Sequence, residues 1–305
     1  MSAPLRVSLP NAKLLAALEP SPGVELLLWD FTGTPPTGRL DLVVPPYMGG
    51  AAALSALKGL DVGLIQSQSI GYDGVADVLP AGSLFANAAT VHETSTAELA
   101  VGMMIASQRG FLDFARNQSS GTWDGSMRPS LADRRVLLVG YGGVGKAIES
   151  RLTPFETEVT RMASRAREDQ GGPILGVESL NEQLPLHDIV VVSVPLNTHT
   201  AQLVNADFLR RMPDGALLVN VARGPVADTD AMLAEAKAGR LRFAVDVTDP
   251  EPLPAEHPLW TAPGVLITPH VGGASTAMFP RMVKLIRQQL DLIAEGAPPV
   301  NVVLG

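Results

Sequence analysis

Three side chains in the second half of the chain have the types and settings that proton and hydride chemistry at a carbonyl requires. Arg223 directly follows the apolar run LLVNVA, and Glu251 sits in the proline-bounded turn DPEPLP after RFAVDV. His270 ends the run VLITP and is followed by Gly272 and Gly273. Each lies at the end of a predicted strand, where open α/β sheets place their ligands. The planar guanidinium of Arg223 matches a carboxylate through two parallel N–H bonds and can polarise an adjacent carbonyl. An imidazole titrates near neutrality, so His270 suits proton exchange at the carbonyl oxygen. Glu251, if hydrogen-bonded to that ring, would orient it and favour the imidazolium. Taken singly, each residue also has a structural reading, as a hydrogen-bonded strand-end histidine, a surface cation and a loop carboxylate.

Such chemistry needs a hydride carrier, and residues 135–145, RVLLVGYGGVG, suit a dinucleotide. Gly140 lets the strand turn sharply, Gly142 lets backbone approach a pyrophosphate, and Gly145 lets the following helix pack close to the strand. The first N–H groups of that helix then face the phosphates with the positive end of the helix dipole. With 29 glycines in 305 residues the spacing alone is weak, but the β-branched run before it and KAIESRL after it supply the required strand–turn–helix context. An acid about 20 residues further on normally accepts the ribose hydroxyls of NAD. EVTRMASRAR ends without one and offers Ser164 and Arg165, with Arg167 nearby. A hydroxyl and a guanidinium suit a 2′-phosphate, so NADP(H) is favoured over NAD(H), the alternative being a solvated arginine face.

At 305 residues the chain exceeds what one core usually serves, so two domains are expected. A net charge of −8 argues against nucleic acid or an anionic membrane as partner. The absence of cysteine excludes disulfides, thiol nucleophiles, iron–sulfur clusters and cysteine-ligated zinc. His92, His187, His199 and His257 show no metal-ligand spacing. The N-terminal MSAPLRVSLP lacks the pattern of a signal peptide, and no apolar run is long enough to span a bilayer, so a cytoplasmic location is expected.

The elements that must position these groups alternate. LRVSLP, VELLLWD, LDLVVPP and VGLIQSQ read as strands, separated by KLLAAL and AAALSALKGL as helices. From about His92 to Asn117 the pattern is one long helix, then SSGTWDGSMRPS reads as a loop. A second series follows, with VTRMAS, DIVVVSVP, GALLVNVA, RFAVDV and VLITPH as strands and ADFLRRM and TDAMLAEAKAG as helices, before a last helix, TAMFPRMVKLIRQQLDLIAEG. The class is α/β, with two doubly wound parallel-sheet domains and a ligand cleft expected between them.

GYGGVG, VVSVPLNTHT, LLVNVARGPVADTDAM, AVDVTDPEPL and LITPHVGGAS resemble, in order and spacing, the D-isomer-specific 2-hydroxyacid dehydrogenases, a likeness covering nearly all of residues 95–275. The resemblance implies a Rossmann nucleotide-binding domain (99–274) inserted into a flavodoxin-like substrate domain (1–98 plus 275–305). It implies D-specific hydride transfer between NAD(P)H and C2 of a small 2-keto or 2-hydroxy acid, of glyoxylate or hydroxypyruvate type, with Arg223, Glu251 and His270 catalytic. Gly140, Tyr141, Gly142, Gly143, Val144, Gly145, Ser164, Arg165, Pro195, Thr200, Ala222, Asp246 and Gly272 are implied as cofactor contacts. Loop 67–75 is implied to hold the substrate carboxylate through the N–H groups of Ile70 and Gly71. Tyr47 lies where the family often lines the substrate site, an ordinary buried tyrosine being the alternative. The stretch TAEL is implied to open the interdomain helix, and a homodimer is expected, through the nucleotide domain. The sequence departs from the family pattern at Ala163, which takes the usual acidic position, and at Glu156, where glycine is common before the second strand. A nucleotide-sensing interaction protein and a phosphite-type dehydrogenase stay open as alternatives. Formate is disfavoured, because formate dehydrogenases of this group carry glutamine where Glu251 stands.

Overall fold

Short leucine- and valine-rich runs bounded by turn residues become strands here because both of their faces are covered by helices. The computed structural model describes residues 3–19 and 22–305, and the chain separates into two units: residues up to His92 with Thr276–Gly305, and Glu93–Ser275.

In the first unit β1 (Leu5–Leu9), α1 (Ala12–Leu18), β2 (Val24–Leu28), β3 (Leu40–Val43), α2 (Gly50–Leu54), β4 (Val62–Gln66) and β5 (Leu84–Ala86) follow one another. The second unit runs α3 (Glu93–Arg109), α4 (Phe111–Ser120), β6 (Arg135–Val139), α5 (Gly143–Leu152), β7 (Glu158–Ala163), β8 (Arg167–Asp169) and β9 (Gly172–Gly176). It continues with α6 (Leu180–Gln183), β10 (Ile189–Val192), α7 (Ala206–Arg211), β11 (Leu217–Asn220), α8 (Thr229–Lys237), β12 (Arg242–Val245) and β13 (Val265–Ile267). The chain then returns to the first unit through α9 (Met278–Glu295) and β14 (Val302–Leu304).

The first sheet has the order β14-β5-β4-β3-β1-β2, whose parallel part is the flavodoxin-like doubly wound order. The second runs β13-β12-β11-β10-β6-β7-β9-β8, in which β9-β7-β6-β10-β11-β12 is the Rossmann order. In β6, Leu137 and Val139 enter one apolar cluster and Val136 and Leu138 the other, so the strand is buried on both sides. That two-sided burial is why the run is uniformly apolar rather than alternating.

The structure departs from the sequence reading in three places. The sheets are not wholly parallel, because β14 pairs antiparallel with β5 and β8 antiparallel with β9. These edge pieces, and β5 and β9, are short or polar and carry little periodicity. The long helix is two helices: Gly110 adopts φ +70 between α3 and α4, where a Cβ would press on the Arg128 guanidinium at 3.2 Å. Finally, LNEQLPL after β9 is helical, in α6 and a following 3₁₀ turn.

Glu156 has φ +57 in the exposed turn before β7. This left-handed geometry suits glycine, which alone enters that region without Cβ strain. Glu156→Gly should therefore raise stability by roughly 0.5–1 kcal/mol, the relieved strain exceeding the added entropy of the unfolded chain. Thermal unfolding of the two proteins reads this, and an unchanged or lower midpoint for the variant refutes it.

Candidate active site

β11, β12 and β13 lie side by side in parallel, so the residues leaving their C-terminal ends emerge next to one another. Arg223 leaves β11, Glu251 follows β12, and His270 follows β13. His270 Nδ1 stands 2.6 Å from Glu251 Oε1, with both side chains partly exposed. With the proton on Nδ1 donated to the carboxylate, Nε2 is left as the nitrogen available for exchange. Arg223 is half-buried and donates from Nη1 to Ala222 O at 2.7 Å. Its loop is pressed against the loop that carries Glu251. A Cβ on Gly224 would collide with Thr248 O, and Thr229 Oγ1 donates to Asp249 O at 2.7 Å.

Asp246, 3% exposed at the end of β12, sets the backbone around the histidine. Its Oδ1 accepts from Thr268 Oγ1 (2.6 Å) and Val271 N (2.9 Å), and its Oδ2 accepts from Gly272 N (2.9 Å). The backbone adds His270 N donating to Asp246 O at 2.7 Å. These bonds hold His270 at φ +52, a conformation a non-glycine residue adopts only when its surroundings impose it. Gly272 is required because a Cβ there would come within 2.9 Å of Asp246 Oδ2.

The glycine turn has the geometry of a phosphate cradle. Gly140 adopts φ +105, and a Cβ on it would stand 2.7 Å from the Ser193 carbonyl carbon. On Gly145 a Cβ would collide with Gly140 O, so α5 packs directly on the turn. A Cβ on Gly142 would meet nothing within 4 Å, and no side chain caps the helix it precedes. The first-turn N–H groups, from Gly143 onward through Val144, have no partners inside a helix and suit an anion. These residues fit a dinucleotide pyrophosphate. Ser164 and Arg165 stand exposed just past the C-terminal end of β7. Thr200 closes the loop after β10, donating to Pro195 O at 2.6 Å and accepting from Asn197 N at 2.8 Å. Ala222, 4% exposed, donates its N–H to Asn220 Oδ1 at 3.0 Å.

In the first unit, Ile70 and Gly71 lie in a loop fixed by buried polar side chains. Asn87 Nδ2 donates to Ile70 O at 2.9 Å, Gln68 Nε2 to Pro45 O at 2.8 Å, and His92 Nε2 is 2.6 Å from Gln68 O. The Tyr47 ring stacks on His92, centroids 5.8 Å apart, and is only partly buried. His92 is thus a loop anchor. His187 is also structural: buried, with Nδ1 at 2.7 Å from Gln183 O and Nε2 at 2.8 Å from Thr160 Oγ1, and burial lowers its pKa. The reading of the sequence missed Thr268, Gln68 and Asn87, because each acts through a hydrogen bond to a residue distant along the chain.

The family model described as "D-isomer specific 2-hydroxyacid dehydrogenase, NAD binding domain" matches residues 101–272. A glyoxylate reductase of Thermofilum pendens is 31% identical over 260 residues, 82% of this chain and 76% of that protein. A human glyoxylate reductase/hydroxypyruvate reductase is 30% identical over 228 residues, 71% of this chain and 69% of that protein. Among solved structures, a D-isomer specific 2-hydroxyacid dehydrogenase from Xanthobacter autotrophicus Py2, in complex with NADPH and MES, superposes with a TM-score of 0.83 at 26% identity. That match covers 99% of this chain and 98% of the other. The chain belongs to the D-isomer-specific 2-hydroxyacid dehydrogenase family.

If Asp246 sets the His270 turn, Asp246→Ala should lower kcat about 100-fold, the order expected when a catalytic group shifts by an ångström. Steady-state kinetics on folded variant, checked by circular dichroism, would show it. A kcat within threefold of the parent would remove Asp246 from this role.

Proposed function

We propose that this protein is an NAD(P)H-dependent reductase of small 2-keto acids, forming D-2-hydroxy acids, with glyoxylate and hydroxypyruvate as the leading substrates. The observation that carries the reading is the His270–Glu251 contact at the end of β13, with Arg223 leaving the strand beyond β12. The names of the relatives as glyoxylate reductases support the substrate class. A bound nicotinamide dinucleotide supplies the hydride. Arg223 holds the substrate carboxylate and polarises its keto oxygen. His270 donates a proton from Nε2 to that oxygen as the alcohol forms, while Glu251 accepts from Nδ1 and keeps the ring aimed. Loop 67–75, with the N–H groups of Ile70 and Gly71, is assigned to the carboxylate, and Tyr47 to the substrate's side chain.

NADP(H) is the preferred cofactor in this reading. Ser164 and Arg165 meet a 2′-phosphate with a hydroxyl and a cation, and Ala163 presents no carboxylate to repel it. The related structure that holds NADPH supports the same choice. Among the described residues no helix is long and apolar enough to cross a membrane, and a cytoplasmic site of action is part of the proposal. A homodimer through the nucleotide unit is part of the proposal, supported by exposed Phe111 (52%), Trp123 (98%) and Met127 (99%) on α4 and the segment after it. Sedimentation that gives a monomer at micromolar concentration would refute the dimer.

The reading is tested by NADPH and NADH oxidation against glyoxylate, hydroxypyruvate and phenylpyruvate. His270→Ala should abolish turnover with cofactor binding nearly intact, and a near-normal kcat would remove the assignment. Arg165→Asp should weaken NADPH by at least tenfold, about the loss of one charge-assisted contact, and leave NADH within about threefold. Equal losses for both cofactors would refute the 2′-phosphate argument.

A further inference from the structure

Tyr141, the residue between the first two motif glycines, is fixed at both ends. The residue is 5% exposed, and its phenol donates to Glu149 Oε2 on α5. Its carbonyl accepts from Arg167 Nη2 on β8 at 2.9 Å. The other Glu149 oxygen accepts from Arg161 Nε on β7 at 2.6 Å, a pair whose side chains are 17% and 16% exposed. Arg161 continues to Asp169 Oδ1 at 3.4 Å, and Lys146 on α5 pairs with Asp169 Oδ2 at 3.7 Å. The guanidinium of Arg161 and the ammonium of Lys146 also lie 5.4 and 5.8 Å from the Tyr141 ring centre. Burial, then the bond to Glu149, pushes the phenol up to about 12, so it stays a donor at any physiological pH.

Nothing in hydride transfer calls for this network. Packing of α5 on β7 does not call for it either, since apolar residues of the same volume would fill the space without the desolvation of an ion pair. Gly140 is tied by its N–H to Met162 O at 3.0 Å and by its carbonyl to Ser193 Oγ at 2.8 Å, and what the network adds is a hold on the turn at Tyr141. Residues 140–142 combine φ +105 at Gly140 with an extended Gly142, a shape that a glycine-rich segment has no intrinsic reason to keep. Ordering it before the ligand arrives removes that entropic loss from the binding step.

We propose that Glu149 and Arg161 are positioning residues for the dinucleotide, locking Tyr141 so that the pyrophosphate cradle is preformed. The inference rests on the proposed dinucleotide function. It differs from the role of Arg165 in that the gain falls equally on both cofactors, because the pyrophosphate is common to them.

The test measures dissociation constants of NADPH and NADH by nucleotide fluorescence on the full-length protein, together with thermal midpoints and steady-state kinetics. Glu149→Gln keeps the shape and removes the charge, and Tyr141→Phe keeps the ring and removes the donor. Each should weaken NADPH and NADH by the same factor, about tenfold, as expected for one hydrogen bond to a charged group. For Glu149→Gln the loss should fall on KM for the cofactor, with kcat at saturation within twofold. The double variant should lose little more than either single one, because both break the same bond. A lower thermal midpoint with unchanged dissociation constants would reduce the network to a structural role and overturn the proposal. So would a loss confined to one cofactor, or losses that multiply in the double variant. Parent protein that binds neither dinucleotide would instead overturn the functional reading beneath it.

Discussion

The site depends on one buried carboxylate. Asp246 ends β12 and spends both oxygens on the segment leaving β13, on Thr268 Oγ1, Val271 N and Gly272 N. A buried anion is tolerated only when its hydrogen bonds are satisfied, so the backbone of 268–272 must come to it. That requirement bends the chain at His270 into the left-handed region and turns the imidazole onto Glu251. The His270–Glu251 pairing is therefore a consequence of how one strand end is tied to its neighbour.

The same economy governs the glycine turn of the second unit. Backbone geometry at Gly140 and Gly145 lets strand, turn and helix meet at distances that no side chain permits. Around them Lys146 and Glu149 of α5, Arg161 of β7 and Asp169 of β8 are joined by ion pairs, and Arg165 is exposed at the strand end. A cradle with no side chain of its own and a rim with an exposed cation is a sound design for an anionic dinucleotide. In the proposed reading the fixed dipoles meet the phosphates common to both cofactors, and the cation meets the one that differs.

How much of this was legible depended on the range of the interaction. Strand runs such as VLLV before Gly140 and IVVV in β10 announce themselves, because two-sided burial demands apolar residues at every position. The glycine spacing and the strand-end Arg223, Glu251 and His270 could be picked out for the same local reason, since chemistry there needs particular residue types beside particular turns. The kink at Gly110 was hidden, because a single glycine in a helical pattern breaks the helix only when its surroundings favour the left-handed conformation. The edge strands β8 and β14 were hidden too, being three residues each and defined by a partner rather than by periodicity.

By itself, then, the sequence determined the α/β class, the turn that suits phosphates, the residue types able to hold a carboxylate and move a proton, and the lack of an acid at the ribose position. Each of these is a property of a few adjacent residues and their backbone preferences. Only the tertiary structure decided which partner each group has: Glu251 for His270, Thr268 and two backbone N–H groups for Asp246, Glu149 and Arg167 for Tyr141. Hydrogen bonds and ion pairs act over about 3 Å in space and are indifferent to separation along the chain. Which groups meet is therefore settled by how the strands are ordered, and no local pattern records that order.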